Sequence, residues 1–182
     1  MSQPPGEVLV LTGPPGAGKT TVARLLTARR ERAVQLESDL FWRFIASGYV
    51  EPWKPESHEQ NTVVMGIVAE AAARYAGAGY FTVVDGIVSP RWFLEPLRAV
   101  LTSARLEVAY AILRPPLPVA IERATSRAST RLADPGVIER LWSDFAGLDE
   151  ALEGHVVDTG ELTAEETALA VEERLRLGTL AV

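Results

Sequence analysis

"GPPGAGKT", Gly13–Thr20, stands between the apolar run "EVLVLT" (residues 7–12) and the amphipathic run "KTTVARLLTARRE" (19–31). Its form is G-x-x-x-x-G-K-[ST], a phosphate-binding loop between a predicted strand and a predicted helix, where its mechanism needs it. Gly13, Gly16 and Gly18 let backbone N–H groups turn inward around phosphate oxygens, while Pro14, Pro15 and Ala17 fill the rest of the loop. The start of the next helix, from Lys19 through Thr21, adds its positive dipole end. Lys19 can reach β- and γ-phosphates, and the Thr20 hydroxyl can sit on Mg²⁺. A bound nucleoside triphosphate is the first functional expectation.

Working outward, short β-branched runs alternate with amphipathic segments. "AVQLE" (33–37) predicts a second strand, followed by a short helix from Leu40 to Ser47 that Gly48 ends. The turn-rich "GYVEPWKPESHEQ" leads to Ser57 and Gln60, whose spacing suits a capping box opening a long helix to about Ala76. "YFTVVDG" (80–86) predicts strand three. "RWFLEPLRAVLTSA" predicts a helix interrupted or kinked near Pro96, and "LEVAYAIL" (106–113) strand four. "RPPLP" places proline in the first turn of the next helix. A further helix after Asp134-Pro135, a fifth strand in "HVVDTG" and a closing helix in "TAEETALAVEERL" complete the chain. Strands alternating with helices argue for an open, mostly parallel sheet covered on both faces. Ligands in such sheets lie at the carboxyl ends of the strands, where Glu37, Asp39, Asp85, Arg114 and Asp158 to Glu161 also fall.

The bulk numbers narrow the options. A length of 182 residues with 47% hydrophobic content suits one compact α/β domain over 1–182. A balance of 18 basic to 24 acidic residues, net −6, argues against a nucleic-acid grip. The absence of cysteine excludes disulfides, zinc–thiolate sites and thiol catalysis. His58 and His155 are too far apart in sequence to suggest a histidine metal site. No stretch approaches the ~20 apolar residues of a membrane span, and the first residues lack the pattern of a signal peptide, so a soluble, cytoplasmic protein is expected.

Taken together, the phosphate loop, an acid after strand two, an apolar third strand ending in Asp85, an R-x-x-x-R segment and the final "VVDT" resemble the small P-loop kinases. These are the nucleoside-monophosphate kinases, shikimate and gluconate kinases and chloramphenicol phosphotransferase. The resemblance spans nearly the whole chain and implies a sheet of order 2-3-1-4-5, an acceptor-binding region at about 38–78 and a short lid at about 123–136. It identifies the superfamily and leaves the acceptor open.

On that resemblance, Asp85 is placed as a Walker B acid sharing Mg²⁺ with Thr20. Asp39 is placed beside the acceptor hydroxyl, able to orient it or take its proton. Either acid could instead serve as a local cap, since aspartate between strand and helix is a favoured N-cap. Glu37, two residues before Asp39, shares its strand face and has no assigned role. The opening of the acceptor region, "LESDLFWRF" (36–44), suggests a pocket partly walled by Phe41, Trp42 and Phe44. Arg43, Trp53, Lys54, Arg91 and Trp92 are further candidates. Consecutive helical positions turn by about 100°, so some of Phe41–Phe44 must enter the core. A flat or partly apolar acceptor bearing a hydroxyl would suit this aromatic cluster. Arg123, Arg127 and Arg131 recur at four-residue spacing, either a solvated face or, as the resemblance implies, an adenine contact at Arg123 and phosphate contacts from Arg127 onward.

The expected activity is transfer of the ATP γ-phosphate, with Mg²⁺, to a hydroxyl of a small metabolite or natural-product antibiotic. Lys19, Asp39 and Arg127 would be catalytic. A nucleotide-hydrolysing switch, or a toxin-type kinase of a nucleotide-sugar or nucleic acid, are the competing readings. Nothing in the sequence fixes the oligomeric state.

Overall fold

In the computed structural model, residues 4–126 and 134–182 are described. The chain runs β1 (Val8–Thr12), α1 (Lys19–Ala28), β2 (Ala33–Glu37), α2 (Ser38–Arg43), α3 (His58–Gly77), β3 (Phe81–Asp85), α4 (Leu94–Ser103) and β4 (Val108–Leu113). It continues through α5 (Leu117–Thr125), α6 (Pro135–Ser143), α7 (Glu150–Glu153), β5 (Val156–Val157) and α8 (Ala164–Arg176). The five strands form one sheet in the order β2-β3-β1-β4-β5, with every ladder between them parallel. This is the order that the resemblance implied.

Successive side chains of a strand point to opposite faces, and the central strands divide their residues accordingly. Val8 and Val10 of β1 join Val84, Tyr110 and Ile112 in a core shared with α3 and α4. Leu9 and Leu11 join Val83, Ala111 and Leu113 in a second core shared with α1 and α8. A sheet buried on both faces needs continuous apolar strands, which "VLVLT" and "VAYAIL" supply. With β1 central, its carboxyl end delivers Gly13 between the ends of β3 and β4, which makes that edge the site.

Four local expectations need correction. The helix after β2 occupies Ser38–Arg43, because Glu37 serves as its N-cap and Phe44 as its C-cap. Asp39 therefore lies in the first turn instead of capping it. Ser57 makes no capping box with Gln60. The Ser57 hydroxyl donates to the carbonyls of Pro52 and Lys54, and the Gln60 amide bonds both backbone groups of Val50. The capping box of this chain belongs to Thr163 and Glu166 at the start of α8. Pro96 kinks nothing: α4 begins only at Leu94, so this proline sits in the first turn, where no intrahelical N–H bond is lost.

Candidate active site

The phosphate loop is built by two backbone requirements. Gly16 and Gly18 have φ of 79° and 89°, in the left-handed region that side chains disfavour. Gly16 also packs so closely on α5 that a Cβ there would collide with the carbonyl oxygen of Ala120, whereas the space beside Gly18 is open. Gly18 is the N-cap of α1 and offers no side-chain cap, which leaves the first N–H groups of that helix to a ligand. Pro14, Pro15 and Ala17 are buried beneath the loop, while Thr21 points outward from α1. The Lys19 ammonium donates to the carbonyls of Gly13 and Pro14 at 2.9 and 3.0 Å, so it already lies over the loop.

Beside it stands Asp85, the last residue of β3, only 4% exposed. Its carboxylate accepts from the Thr20 hydroxyl and, at 3.0 Å, from the Gln35 amide. Burial pushes the Asp85 carboxyl above the usual range. The Lys19 charge and the two hydrogen bonds pull it back, and the charge of Asp39 pushes it further up. Gln35 also donates to the Thr20 carbonyl at 3.3 Å. This glutamine carried no signal beyond sharing a strand face with Glu37, and sequence reasoning missed it. The residue after Asp85, Gly86, touches the start of α2 so closely that a Cβ would run into the Ser38 hydroxyl. The start of α2 is thereby pressed against the end of β3.

Asp39 is exposed and lines a cavity of about 830 Å³ together with Trp42, Arg43, Trp53, Lys54 and Trp92. Trp42 is the buried floor: it packs in the core, and its indole N–H donates to Asn61 at 2.8 Å. Asn61 in turn holds the Pro52 carbonyl and the Ser57 hydroxyl, each at 2.8 Å, and so fastens the loop carrying Trp53. The wall after β3 is anchored from beneath. The carbonyl of Val88 accepts from the hydroxyls of Tyr110 and Thr12 at 2.7 and 3.2 Å, and the Val88 N–H returns a bond to Thr12. Burial pushes the Tyr110 phenol far above its usual value, so it stays a donor. Three sequence candidates fall elsewhere. Phe41 packs against the core and meets Phe44 edge-on at 5.8 Å, with Phe44 76% exposed outside the cavity. Arg91 is exposed and lies beyond the lining, and its charge pulls the carboxyl of Asp144, a lining residue, downward.

Asp144 and Arg140, near the end of α6, complete the cavity, and neither was foreseen. Burial pushes the Asp144 carboxyl up, and Arg91 and Arg140 pull it back. Arg140 also donates to the Trp53 carbonyl, tying α6 to the opposite rim. Tyr49 and His58, likewise missed, are further lining residues.

On the other side of the phosphate loop, Arg123 donates to the carbonyls of Thr159 and Gly160 at 2.8 and 3.1 Å. Buried Thr159 reaches the Ala17 carbonyl at 3.5 Å, so the loop after β5 borders the phosphate loop. Arg114 is held bidentately by Glu153 and by the Phe145 carbonyl, which accounts for it structurally. Arg127, Arg131 and half of the expected lid, residues 127–133, lie outside the described residues.

Residues 8–147 match a family described as AAA domain, more than half of the chain. The chain belongs to this family of P-loop NTPases. No curated protein matches it in sequence. Among solved structures, it is similar to the tunicamycin resistance protein of Deinococcus radiodurans, at 20% identity and a TM-score of 0.67, over 97% of this chain and 98% of that one. It is also similar to the APS kinase of Mycobacterium tuberculosis in complex with AMPPNP and APS, at 18% identity and a TM-score of 0.73, over 96% and 99%. The shikimate kinase of Acinetobacter baumannii, in complex with shikimate, aligns at 21% identity and a TM-score of 0.65, over 97% and 95%. These likenesses establish the P-loop kinase fold. Among the described residues no helix is long and apolar enough to cross a membrane.

Proposed function

We propose that the protein is an ATP-dependent phosphotransferase that moves the γ-phosphate to a hydroxyl of a small molecule held in the 830 Å³ cavity. The observation that carries this reading is the position of Asp39. It lines the cavity, yet its charge is felt by Asp85, the acid bonded to Thr20 at the phosphate loop. A switch that only hydrolyses nucleotide has no need of a second deep chamber beside its phosphate loop. The kinase names carried by two structural neighbours support the same reading, and the third neighbour's name keeps an antibiotic among the acceptor options.

The residues at the loop fit Mg²⁺: one hydroxyl and one buried carboxylate in mutual contact. Among the described residues no three His, Asp or Glu could hold a metal alone, and Mg²⁺ is commonly bound by one or two carboxylates together with substrate phosphates. Thr20 and Asp85 would hold the ion, which when bound neutralises charge on the phosphates. Lys19 would exchange its two loop carbonyls for phosphate oxygens. Arg123 and the loop after β5 would flank the adenine, and Arg127 would add charge at the transferred group. Asp39 orients the acceptor hydroxyl toward the γ-phosphorus and receives its proton as the new P–O bond forms. The bond from that phosphorus to the bridging oxygen breaks, and ADP leaves with its electron pair.

The test supplies γ-labelled ATP and Mg²⁺ with pooled hydroxyl-bearing metabolites, nucleosides and antibiotics, and locates the label by chromatography and mass spectrometry. Label on one small molecule is expected. Asp39→Asn should lower transfer by about 10²–10⁴-fold, the usual worth of a general base, with ATP affinity retained. Label only in free phosphate, whatever the pool, would instead favour a hydrolysing switch.

A further inference from the structure

Resting on the phosphotransferase reading, we infer that the acceptor is an unphosphorylated alcohol that carries a flat ring, and that Trp92 and Trp53 select it. The first ground is where the chain spends its tryptophan. Three of the four tryptophans, Trp42, Trp53 and Trp92, line this one cavity. Trp42 is committed to the floor, but Trp92 remains 38% exposed and Trp53 is only half-buried. Trp92 is one rung of a ring ladder: it stacks on Phe93 with centroids 3.9 Å apart and runs nearly parallel to His58, at 18° and 5.8 Å. An indole stiffened by such neighbours presents flat apolar area at little cost in side-chain freedom, and offset stacking on it favours another ring. A cavity of this volume falls in the range that holds drug-sized ligands. A small polyol would leave most of its aromatic wall uncovered.

The second ground is charge. A phosphate on the acceptor would require cations that converge and are not already spent. Lys54 is paired with Glu51 at 2.8 Å. Arg140 is bonded to the Trp53 carbonyl and faces Asp144. Among the described residues, Arg43 alone of the lining arginines and lysines has neither an ion pair nor a hydrogen bond. Two carboxylates, Asp39 and Asp144, open into the same space. A doubly charged phosphate would meet one uncommitted cation and two acids, whereas a neutral ring would meet indole.

Nucleosides and aryl-alkyl natural products share this chemistry, and separate arms distinguish them. Quenching of tryptophan emission, without nucleotide, gives the affinity of uridine, adenosine and chloramphenicol, with uridine 5′-monophosphate, gluconate and shikimate as contrasts. At least one ring-bearing alcohol should bind ten-fold or more tighter than gluconate, and the monophosphate should bind no tighter than uridine. Trp92→Ala should weaken that ring-bearing probe by about ten-fold, as expected for losing one aromatic contact with its buried area. Trp92→Phe should recover most of the loss, and Trp53→Ala should weaken binding independently. Tighter binding of the monophosphate or gluconate, or unchanged affinity in both alanine variants, would overturn the inference. Quenching by a ring-bearing alcohol with no label transferred to it from ATP would leave Trp92 and Trp53 as a ring-binding site and remove the phosphotransferase reading, with its acceptor, instead.

Discussion

Gly16 and Gly18 both have positive φ, but only Gly16 is pressed against α5, and that difference can be measured. Replacing Gly18 with alanine costs left-handed strain alone, about 1–2 kcal/mol. A Cβ at Gly16 meets the Ala120 carbonyl as well, and forcing extra bulk into a packed contact adds about 1–3 kcal/mol. Both variants regain part of this, about 0.4–1 kcal/mol, because alanine narrows the unfolded ensemble. For a chain of this size each kcal/mol shifts Tm by about 2–4 °C. Gly18→Ala should therefore lose only a few degrees, and Gly16→Ala roughly twice as much or more. The functional difference should be sharper. Gly18→Ala keeps the loop seated on α5, whereas Gly16→Ala must lift one off the other and should abolish stabilisation by ATP and Mg²⁺. Differential scanning fluorimetry with and without nucleotide reads both quantities. Equal losses of Tm, or full nucleotide stabilisation in Gly16→Ala, would show that the seat on α5 does not set the shape of the cradle.

Two further outcomes can be checked in the same way. Because the Asp85 carboxyl is raised by burial, the native state binds the extra proton between the ordinary carboxylate value and the raised one. Its contribution to stability therefore falls as pH rises through that window. Asp85→Asn should make unliganded Tm higher at neutral pH and remove that pH dependence, while losing the stabilisation given by ATP with Mg²⁺; a lower unliganded Tm would refute the sign. Arg123→Ala removes the donor to the Thr159 and Gly160 carbonyls and should weaken ATP by about ten-fold, within the worth of charged hydrogen bonds. The acceptor KM should not change, and a change confined to the acceptor would place Arg123 on the wrong side of the loop.

The parts of the site legible in the sequence were those with a local pattern. The glycines of the phosphate loop and the apolar run before Asp85 announce themselves over a few residues, because backbone turns and buried strands constrain composition nearby. Gln35, Arg140 and Asp144 could not be found that way. Gln35 matters because β2 lies beside β3 in register, with Glu37 opposite Asp85, and that pairing joins residues about fifty positions apart. Arg140 and Asp144 reach the cavity because α6 docks across it, a placement set by packing. The misplaced capping box has the same origin: Ser57 and Gln60 have the right spacing, but nearby loop backbone claimed both side chains first.

The two walls of the cavity beside Asp39 differ in what holds them. The wall after β3 hangs from the Val88 carbonyl, gripped by Thr12 of the strand that feeds the phosphate loop and by Tyr110 of its neighbour. A shift of the backbone at Val88 would therefore be felt at Thr12, where β1 meets the phosphate loop. The opposite wall, residues 44–57, is fastened chiefly to α3 through Asn61 and Gln60. On the proposed reading, grafting that one segment, with Asn61 and Gln60 kept as its moorings, would change the Trp53 side of the cavity while Trp92 and the phosphate loop stay as they are.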